Sequence, residues 1–513
     1  MDHPAAESRD MQSLPIDSLG NHTTLEQWFE PFRREIAGID QHFETPFGNR
    51  RILYADWIAS GRIYLPIERL FQDEIAPFVG NTHTETSVTG STMTYAYHQA
   101  LKRIKAHVRA NADDAIICYG AGMTGVINKF QRILGLRVHE NYHAGVCPQP
   151  CQRPVVFVSH MEHHSNQTSW LETLCEVRVI PPDANGLVDL DALDSLLEEY
   201  RERPLKIASV TSCSNVTGLF TPFHEVAERM HLAGGLCFVD FACSAPYIDI
   251  DMHPPGRPEA YLDAIYFSPH KFLGGPGASG VLIFNKLLYR NRVPDNPGGG
   301  TVDWTNPWGE HKYIDDIESR EDGGTPGFLQ AIRVALAIEV KQAMRVDFIR
   351  ARERELLDIV WPALRATPGL HILAANQPER LALISFYIEG LHYNLAVRLL
   401  NDRFGIQVRG GCSCAGTYGH YLLQVSHEHS KSITDKINLG VLTEKPGWVR
   451  LSMHPTMSDT EAHEIVAAIA DLVQHHHDWA KDYRYCESKN EFTHVADTRA
   501  IADRVDGWFS ALT

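Results

Sequence analysis

Ala264-Ile-Tyr-Phe-Ser-Pro-His-Lys-Phe-Leu-Gly-Gly-Pro-Gly-Ala-Ser-Gly-Val-Leu-Ile-Phe284 decides how the rest of the chain is read. A β-branched and aromatic run, Ala264 to Phe267, stops at Ser268-Pro269. A lysine and a glycine-rich turn follow, and a second apolar run goes from Val281 to Phe284. The pattern predicts strand, turn, strand, with Lys271 held at the turn. A lysine at a strand end is ordinarily a solvated surface charge, so its neighbours must decide its role. Gly275-Pro-Gly-Ala-Ser-Gly280 matches the dinucleotide-binding fingerprint letter for letter. That fingerprint needs a helix after its glycines, and here a strand follows, so it is set aside as a nucleotide site.

The deciding neighbour lies upstream. Leu236-Cys-Phe-Val-Asp-Phe-Ala-Cys243 is a short apolar strand that ends in Asp240. A carboxylate at one strand end and a lysine one crossover later are what pyridoxal 5′-phosphate (PLP) chemistry requires. The lysine carries the cofactor as a Schiff base, and the carboxylate keeps the pyridine nitrogen protonated so that the ring accepts electrons. With the Ser-x-His-Lys flank and the glycine-rich turn, the chain resembles the class V aminotransferases of PLP fold type I. Within them it is similar to the cysteine desulfurase and selenocysteine lyase branch. The resemblance covers about residues 50–475.

Composition is compatible with that resemblance. The chain has 513 residues, 44% of them hydrophobic and 22% charged, ordinary values for a globular protein of two or three domains. A formal charge of −17 excludes a nucleic-acid or anionic-membrane surface as the main business. No apolar run approaches a membrane span, and the first twenty residues lack an apolar signal-like segment, so a cytoplasmic protein is expected. Ten cysteines in this length make no disulfide scaffold, and reduced thiols are expected. His475-His476-His477 is read as an exposed helix face.

Taken in order, residues 1–50 read as an N-terminal arm with an amphipathic piece at Leu25–Ile36. Arg51 to Arg62 starts as a strand and breaks at Ser60-Gly61, resembling a family segment that lies near the substrate. From Ala115 the chain alternates strands and helices: Ala115–Cys118, Pro154–Ser159, Glu176–Ile180, Leu205–Thr211, Cys237–Asp240, Ile265–Phe267 and Val281–Phe284, with helices at Gln167–Cys175, Asp189–Tyr200 and Phe223–Ala233. Alternation of this kind predicts an α/β fold, a mostly parallel sheet with helices on both faces. Residues 51–327 are expected to form this large domain. A long helix from Phe328 to about Arg345 leads to a smaller α/β domain over 328–480. Its strands are predicted near Leu370–Leu373, Leu381–Tyr387 and Trp448–Met453, and residues 481–513 read as a tail.

The resemblance assigns roles residue by residue. Gly122-Met123-Thr124 at a predicted helix start resembles the family's phosphate cup, where backbone N–H groups meet the anion. A Walker A reading fails because Val126, not lysine, follows Gly125. Met161-Glu-His-His-Ser-Asn166 resembles the family motif whose first histidine stacks on the cofactor ring, here His163. A zinc reading of His160, His163 and His164 is weak, because adjacent residues diverge on any regular element. Asn215, in Cys213-Ser-Asn-Val-Thr-Gly218, would face the substrate carboxylate or the cofactor O3′. Ser268 and His270 match phosphate contacts. Cys243 stands where the family usually has a glutamine to O3′. Thr301, in Gly298-Gly-Gly-Thr-Val302, would reach the other subunit's phosphate in a homodimer.

The most discriminating stretch is Gln407-Val-Arg-Gly-Gly-Cys-Ser-Cys-Ala-Gly416. Aligned on Val408-Arg409, Cys414 falls on the family's persulfide-forming cysteine, with Cys412 and Ser413 in place of two histidines. Two alternatives stand beside it: a Cys-x-Cys metal site with His420, and a buried structural thiol. Arg450, in Trp448-Val-Arg-Leu-Ser452, matches the substrate-carboxylate arginine. The resemblance thus implies a PLP enzyme that converts L-cysteine or selenocysteine to alanine, passes sulfur to a possible acceptor protein and needs no metal. The rivals are a class V aminotransferase, epimerase or C–S lyase without sulfur transfer, and a non-catalytic scaffold.

Overall fold

The computed structural model describes residues 23–82, 84–146, 149–443, 445–496 and 501–511. The first 22 residues of the expected N-terminal arm lie outside it, as do 147–148, and 497–500 and 512–513 in the expected tail.

Why the central strands read as near-continuous apolar runs is visible in their packing. Along Val155–Ser159, Val155 and Phe157 join one buried cluster while Val156 and Val158 join another on the opposite face. Cys237 and Val239 alternate with Phe238 in the same way, and Ile265 and Phe267 with Ala264 and Tyr266. A strand buried on both faces needs apolar residues at every position, each contributing roughly 1.5–3 kcal/mol when fully buried. The sheet has seven strands in spatial order Asp114–Tyr119, Gly280–Asn285, Ala264–Phe267, Leu236–Asp240, Lys206–Thr211, Val155–Ser159, Glu176–Ile180. All neighbours are parallel except around Gly280–Asn285, which runs antiparallel to both of its partners. The connection that precedes it, residues 268–279, holds only a short 3₁₀ turn. A parallel return needs a covering crossover, usually a helix, so this strand comes back the other way.

Helix boundaries differ from the sequence expectation in instructive ways. The helix expected at Gln167–Cys175 runs His164–Leu171, because His163 caps its N-terminus by accepting from the Ser165 N–H. The long helix Phe328–Met344 stops where expected, and a second helix, Val346–Ala366, begins across Arg345, whose φ is +64°. The second helix was not expected from the sequence, and the break between the two comes from one left-handed residue rather than from a breaker such as proline. Beyond it lies a four-stranded antiparallel sheet in the order Leu370–Ile372, Leu383–Ile388, Trp448–Ser452, Arg409–Gly411. The triple histidine is not one exposed face: His476 is buried and His477 exposed, since neighbours on a helix point about 100° apart. Residues 483–494 form a hairpin that packs on the small sheet's helix, where Asn394 Nδ2 donates to the Asn490 carbonyl at 2.6 Å and Asn490 Nδ2 to Tyr393 OH at 2.8 Å.

Two glycines fix the approach between segments. A Cβ on Gly61 would sit 1.9 Å from the Phe272 carbonyl oxygen, and one on Gly275 1.9 Å from that of Pro269. The Gly61 N–H donates to His270 O at 3.0 Å and the Gly274 N–H to Arg62 O at 2.8 Å. The turn carrying Lys271 is thereby stitched to the break at Ser60-Gly61.

Candidate active site

The parallel strands end on one side of the sheet, and there the loops after them open a cavity of about 230 Å³. Ligand sites of open α/β sheets form at this end of the strands. Met123, Thr124, His163, Asn215, Asp240, Cys243, Ser268, His270, Lys271, Cys414 and Arg450 all line it. The strand register explains part of the arrangement: Asp240 pairs with Thr211 on one side and Tyr266 on the other, so Asp240 and Thr211 reach the rim together. Thr301 does not line the cavity. It is buried in its own loop, where its hydroxyl donates to Gly298 O at 2.6 Å.

The floor is electrostatically poised. Burial pushes the Asp240 carboxyl up to about 6, against the pull of the Ala242 N–H and of Lys271. Burial lowers the Lys271 ammonium, while Cys243 and Asp240 raise it. His163 is held down to about 3 by burial and by Lys271, and His270 to about 4 for the same two reasons. Both imidazoles are neutral at physiological pH. Cys243 and Cys213 both donate to Ser214 O, at 3.6 and 3.8 Å; the neighbouring Cys213 and Lys271 pull the Cys243 thiol down, and burial pushes the Cys213 thiol well up.

One end of the cavity is a helix start without a side-chain cap. Gly122 sits at the N-cap of Met123–Ile133, and the Met123 N–H donates to Ser268 Oγ at 2.9 Å. A Cβ on Gly122 would lie 3.0 Å from Ser268 Oγ and 3.6 Å from the His270 ring. The space a side chain would fill lies between the Ser268 hydroxyl and the His270 ring. Thr124 Oγ1 lies 2.6 Å from Ser165 Oγ. A helix N-terminus with the hydroxyls of Ser268 and Thr124 and the His270 imidazole suits a phosphate.

The other end is cationic. Arg450 is 4% exposed; its Nη2 donates to Asp56 Oδ1 at 2.8 Å and its Nη1 to Asn215 O at 3.2 Å, while its Nε has no partner. Arg409 Nε donates to the second Asp56 oxygen at 3.0 Å. Two guanidinium groups therefore share one carboxylate. Asn215 Nδ2 donates to Ser413 O at 2.7 Å, and its Oδ1 is buried and unpartnered. Asp56 and Arg409 were not singled out as site residues from the sequence. Asp56 sits in the segment resembling the substrate-proximal one, and Arg409 served only to align Cys414; that adjacency was the available signal.

Cys414 sits at the mouth, exposed. Ser413 and Cys414 have φ of +51° and +56°, two consecutive left-handed residues that are not glycine, each costing of order 1–3 kcal/mol. The metal alternative finds no ligand set among the described residues. Both His420 nitrogens are engaged, Nδ1 with Gly416 O at 2.7 Å and Nε2 with Ser430 Oγ at 2.8 Å. His160, of the zinc alternative, is buried with Nε2 3.2 Å from Gly186 O, away from His163 in the cavity wall.

A lysine and a buried carboxylate line one cavity, with a helix start at one end and two arginines sharing a carboxylate at the other, the arrangement of an enzyme site. Residues 54–464 match the family model of the class V aminotransferases. The chain belongs to that family. It is 27% identical over 385 residues to a probable cysteine desulfurase of Halalkalibacterium halodurans, covering 74% of this chain and 88% of that one. It is 26% identical to one of Staphylococcus epidermidis, covering 72% and 85%. Among solved structures, apo cysteine desulfurase from Thermococcus onnurineus superposes with a TM-score of 0.68 at 20% identity over 87% of this chain and 98% of that one. A cysteine desulfurase from Escherichia coli gives 0.67 at 22% identity with the same coverage. These likenesses carry the PLP type I fold.

Proposed function

We propose that the chain is a PLP-dependent cysteine desulfurase acting on L-cysteine or selenocysteine. The observation that carries the reading is that a cysteine, Cys414, lines the same cavity as Lys271, Asp240 and Arg450. Names of relatives at about a quarter identity support it. Bound PLP supplies the electron sink. The cradle of Gly122, Met123, Thr124, Ser268 and His270 fits its phosphate, and the unpartnered Asn215 Oδ1 fits a polar group of the cofactor or substrate.

The chain's own residues then have these roles. Lys271 Nζ would hold the cofactor and, when free, would take the Cα proton as the neutral amine that burial favours. Asp240 would hold a proton at the ring nitrogen of the bound cofactor, and His163, a neutral imidazole in the cavity wall, would contact that ring. The Arg450 Nε, unpartnered in the cavity wall, is available to the substrate carboxylate. Cys414 Sγ, as thiolate, bonds to the substrate sulfur while the Cβ–S bond breaks. The electron pair stays on Cβ, which gains a proton to become the methyl of alanine, and a persulfide remains on Cys414.

The same reading makes the protein a cytoplasmic homodimer in which the Thr301 loop completes the phosphate site across the interface, with an acceptor protein collecting the persulfide sulfur. In support, all nine cysteines among the described residues are unpaired thiols and no described helix is long and apolar enough to cross a membrane. The test incubates wild type, Cys414→Ser and Cys412→Ser with L-cysteine, counts alanine against pyruvate, and maps persulfide by mass. Cys414→Ser should lose alanine and persulfide, and Cys412→Ser should keep most of both. Pyruvate in place of alanine from wild type would move the assignment to a C–S lyase.

A further inference from the structure

We propose that His164 is a positioning residue whose neutral imidazole clamps the loop that presents Cys414 to the cavity. The inference rests on the reading of Cys414 as the sulfur acceptor. The loop from Cys412 to Ala415 is a tight turn closed by the Ala415 N–H on Cys412 O at 3.0 Å. Its two central residues, Ser413 and Cys414, both lie in the left-handed region, and neither is a glycine that would adopt it without strain. Such a turn persists only where its surroundings over-determine it.

The surroundings do so from two sides. Asn215 Nδ2 donates to Ser413 O at 2.7 Å, and Trp448 Nε1 to Ser413 Oγ at 3.2 Å. From the other side, the His164 N–H donates to Cys414 O at 2.7 Å, and the Gly416 N–H donates to His164 Nε2 at 2.9 Å. One residue thus contacts the loop on both sides of Ala415, as acceptor and as donor. Three residues along the same helix face, Gln167 Oε1 accepts from Thr417 Oγ1 at 2.8 Å. Gly416 is shaped for this contact, since a Cβ there would stand 3.1 Å from His164 Nε2.

Only the Nε2 bond depends on the side chain, and it requires a lone pair on that nitrogen. Burial and nearby Lys445 both lower the His164 imidazolium, which keeps the ring neutral with its proton on Nδ1. His163, the residue before, lines the cavity. A single turn therefore carries an imidazole of the cavity wall and the loop clamp, and this fixes Cys414 relative to His163. Positioning errors of about 1 Å at such a group cost rate even when binding is untouched.

The experiment uses PLP-loaded wild type, His164→Ala and His164→Gln. Residue-resolved amide hydrogen exchange is read together with alanine formation from L-cysteine and the visible band of the bound cofactor. In wild type the Gly416 amide should be protected. In His164→Ala the amides of residues 414–417 should exchange at least about tenfold faster. Alanine formation should fall by about tenfold or more, with the cofactor band and KM little changed. In His164→Gln, where Oε1 can accept from Gly416, both should return to within about threefold of wild type. An unprotected Gly416 amide in wild type overturns the clamp, and this arm needs no variant to fold. So does His164→Ala with unchanged exchange and turnover, or a Gln variant no better than Ala. A wild type that forms no alanine would sink the desulfurase reading, while the exchange data would still decide whether His164 holds the loop.

Discussion

Asp56→Asn tests the arrangement at the cationic end most directly. Asp56 is the shared partner of Arg450 and Arg409, but the two pairs differ in worth. Arg450 and Asp56 have side chains 4% and 12% exposed, whereas Arg409 is 52% exposed. Removing one member of a buried pair costs about 3–5 kcal/mol, because a desolvated charge is left uncompensated. An exposed pair contributes about 0–1 kcal/mol after solvent screening. Asparagine keeps one acceptor oxygen for Arg450 Nη2, so the expected loss is about 2–3 kcal/mol, nearly all through Arg450. The assay is urea unfolding, with and without saturating L-alanine. The ligand's carboxylate restores a counter-charge beside Arg450, so it should stabilise the variant more than the wild type. In an Arg450→Met background, Asp56→Asn should cost less than about 1 kcal/mol, since only the exposed pair remains. A loss below about 1 kcal/mol in the otherwise wild-type chain, or an equal loss in both backgrounds, would refute the reasoning.

Lys271→Ala should abolish covalent attachment of PLP; borohydride reduction and peptide mapping check this, and a label on another lysine would overturn the site. Asp240→Asn should leave the cofactor bound and slow Cα proton exchange of L-cysteine or L-alanine by about a hundredfold or more, read by loss of deuterium from the labelled amino acid. Gly61→Ala should destabilise by about 3 kcal/mol or prevent folding, because its Cβ meets backbone rather than a movable side chain; urea midpoints or soluble yield report it. The acid limb of stability has a predicted sign. His454, fully buried and stacked on Trp57 at 4.0 Å, is held down to about 3. Its unfolded state therefore takes up the proton first, and stability falls as pH drops from about 6.5 toward 3, by about 1.4 kcal/mol per unit. His454→Phe keeps the stack and removes this group, so its stability should decline less steeply below pH 6.5; an unchanged slope in urea titrations would disprove it.

Lys271, Asp240, His163 and the Gly122–Thr124 helix start were legible because each sits in a short contiguous motif at a strand end. The periodicity that makes the strand also delivers the residue to the rim of the sheet. The alternation of strands and helices likewise implied a mostly parallel sheet covered on both faces. Other features were not legible. Asp56 meets Arg450 across 394 positions of sequence, and no local pattern marks either as the other's partner. The antiparallel return of Gly280–Asn285 follows from what a helix-free connection can span, and the hairpin at 483–494 is held by contacts with Tyr393 and Asn394. The left-handed pair Ser413-Cys414 is the clearest case, since those residues would not choose that backbone alone and are held there by Asn215, Trp448 and His164. Local propensity and motif spacing are properties of neighbouring residues, and they determined the strands, the helix starts and which candidate groups stand at the rim of the sheet. Charge sharing, strain and loop presentation are energies between segments distant along the chain, so only the packed tertiary structure decided them.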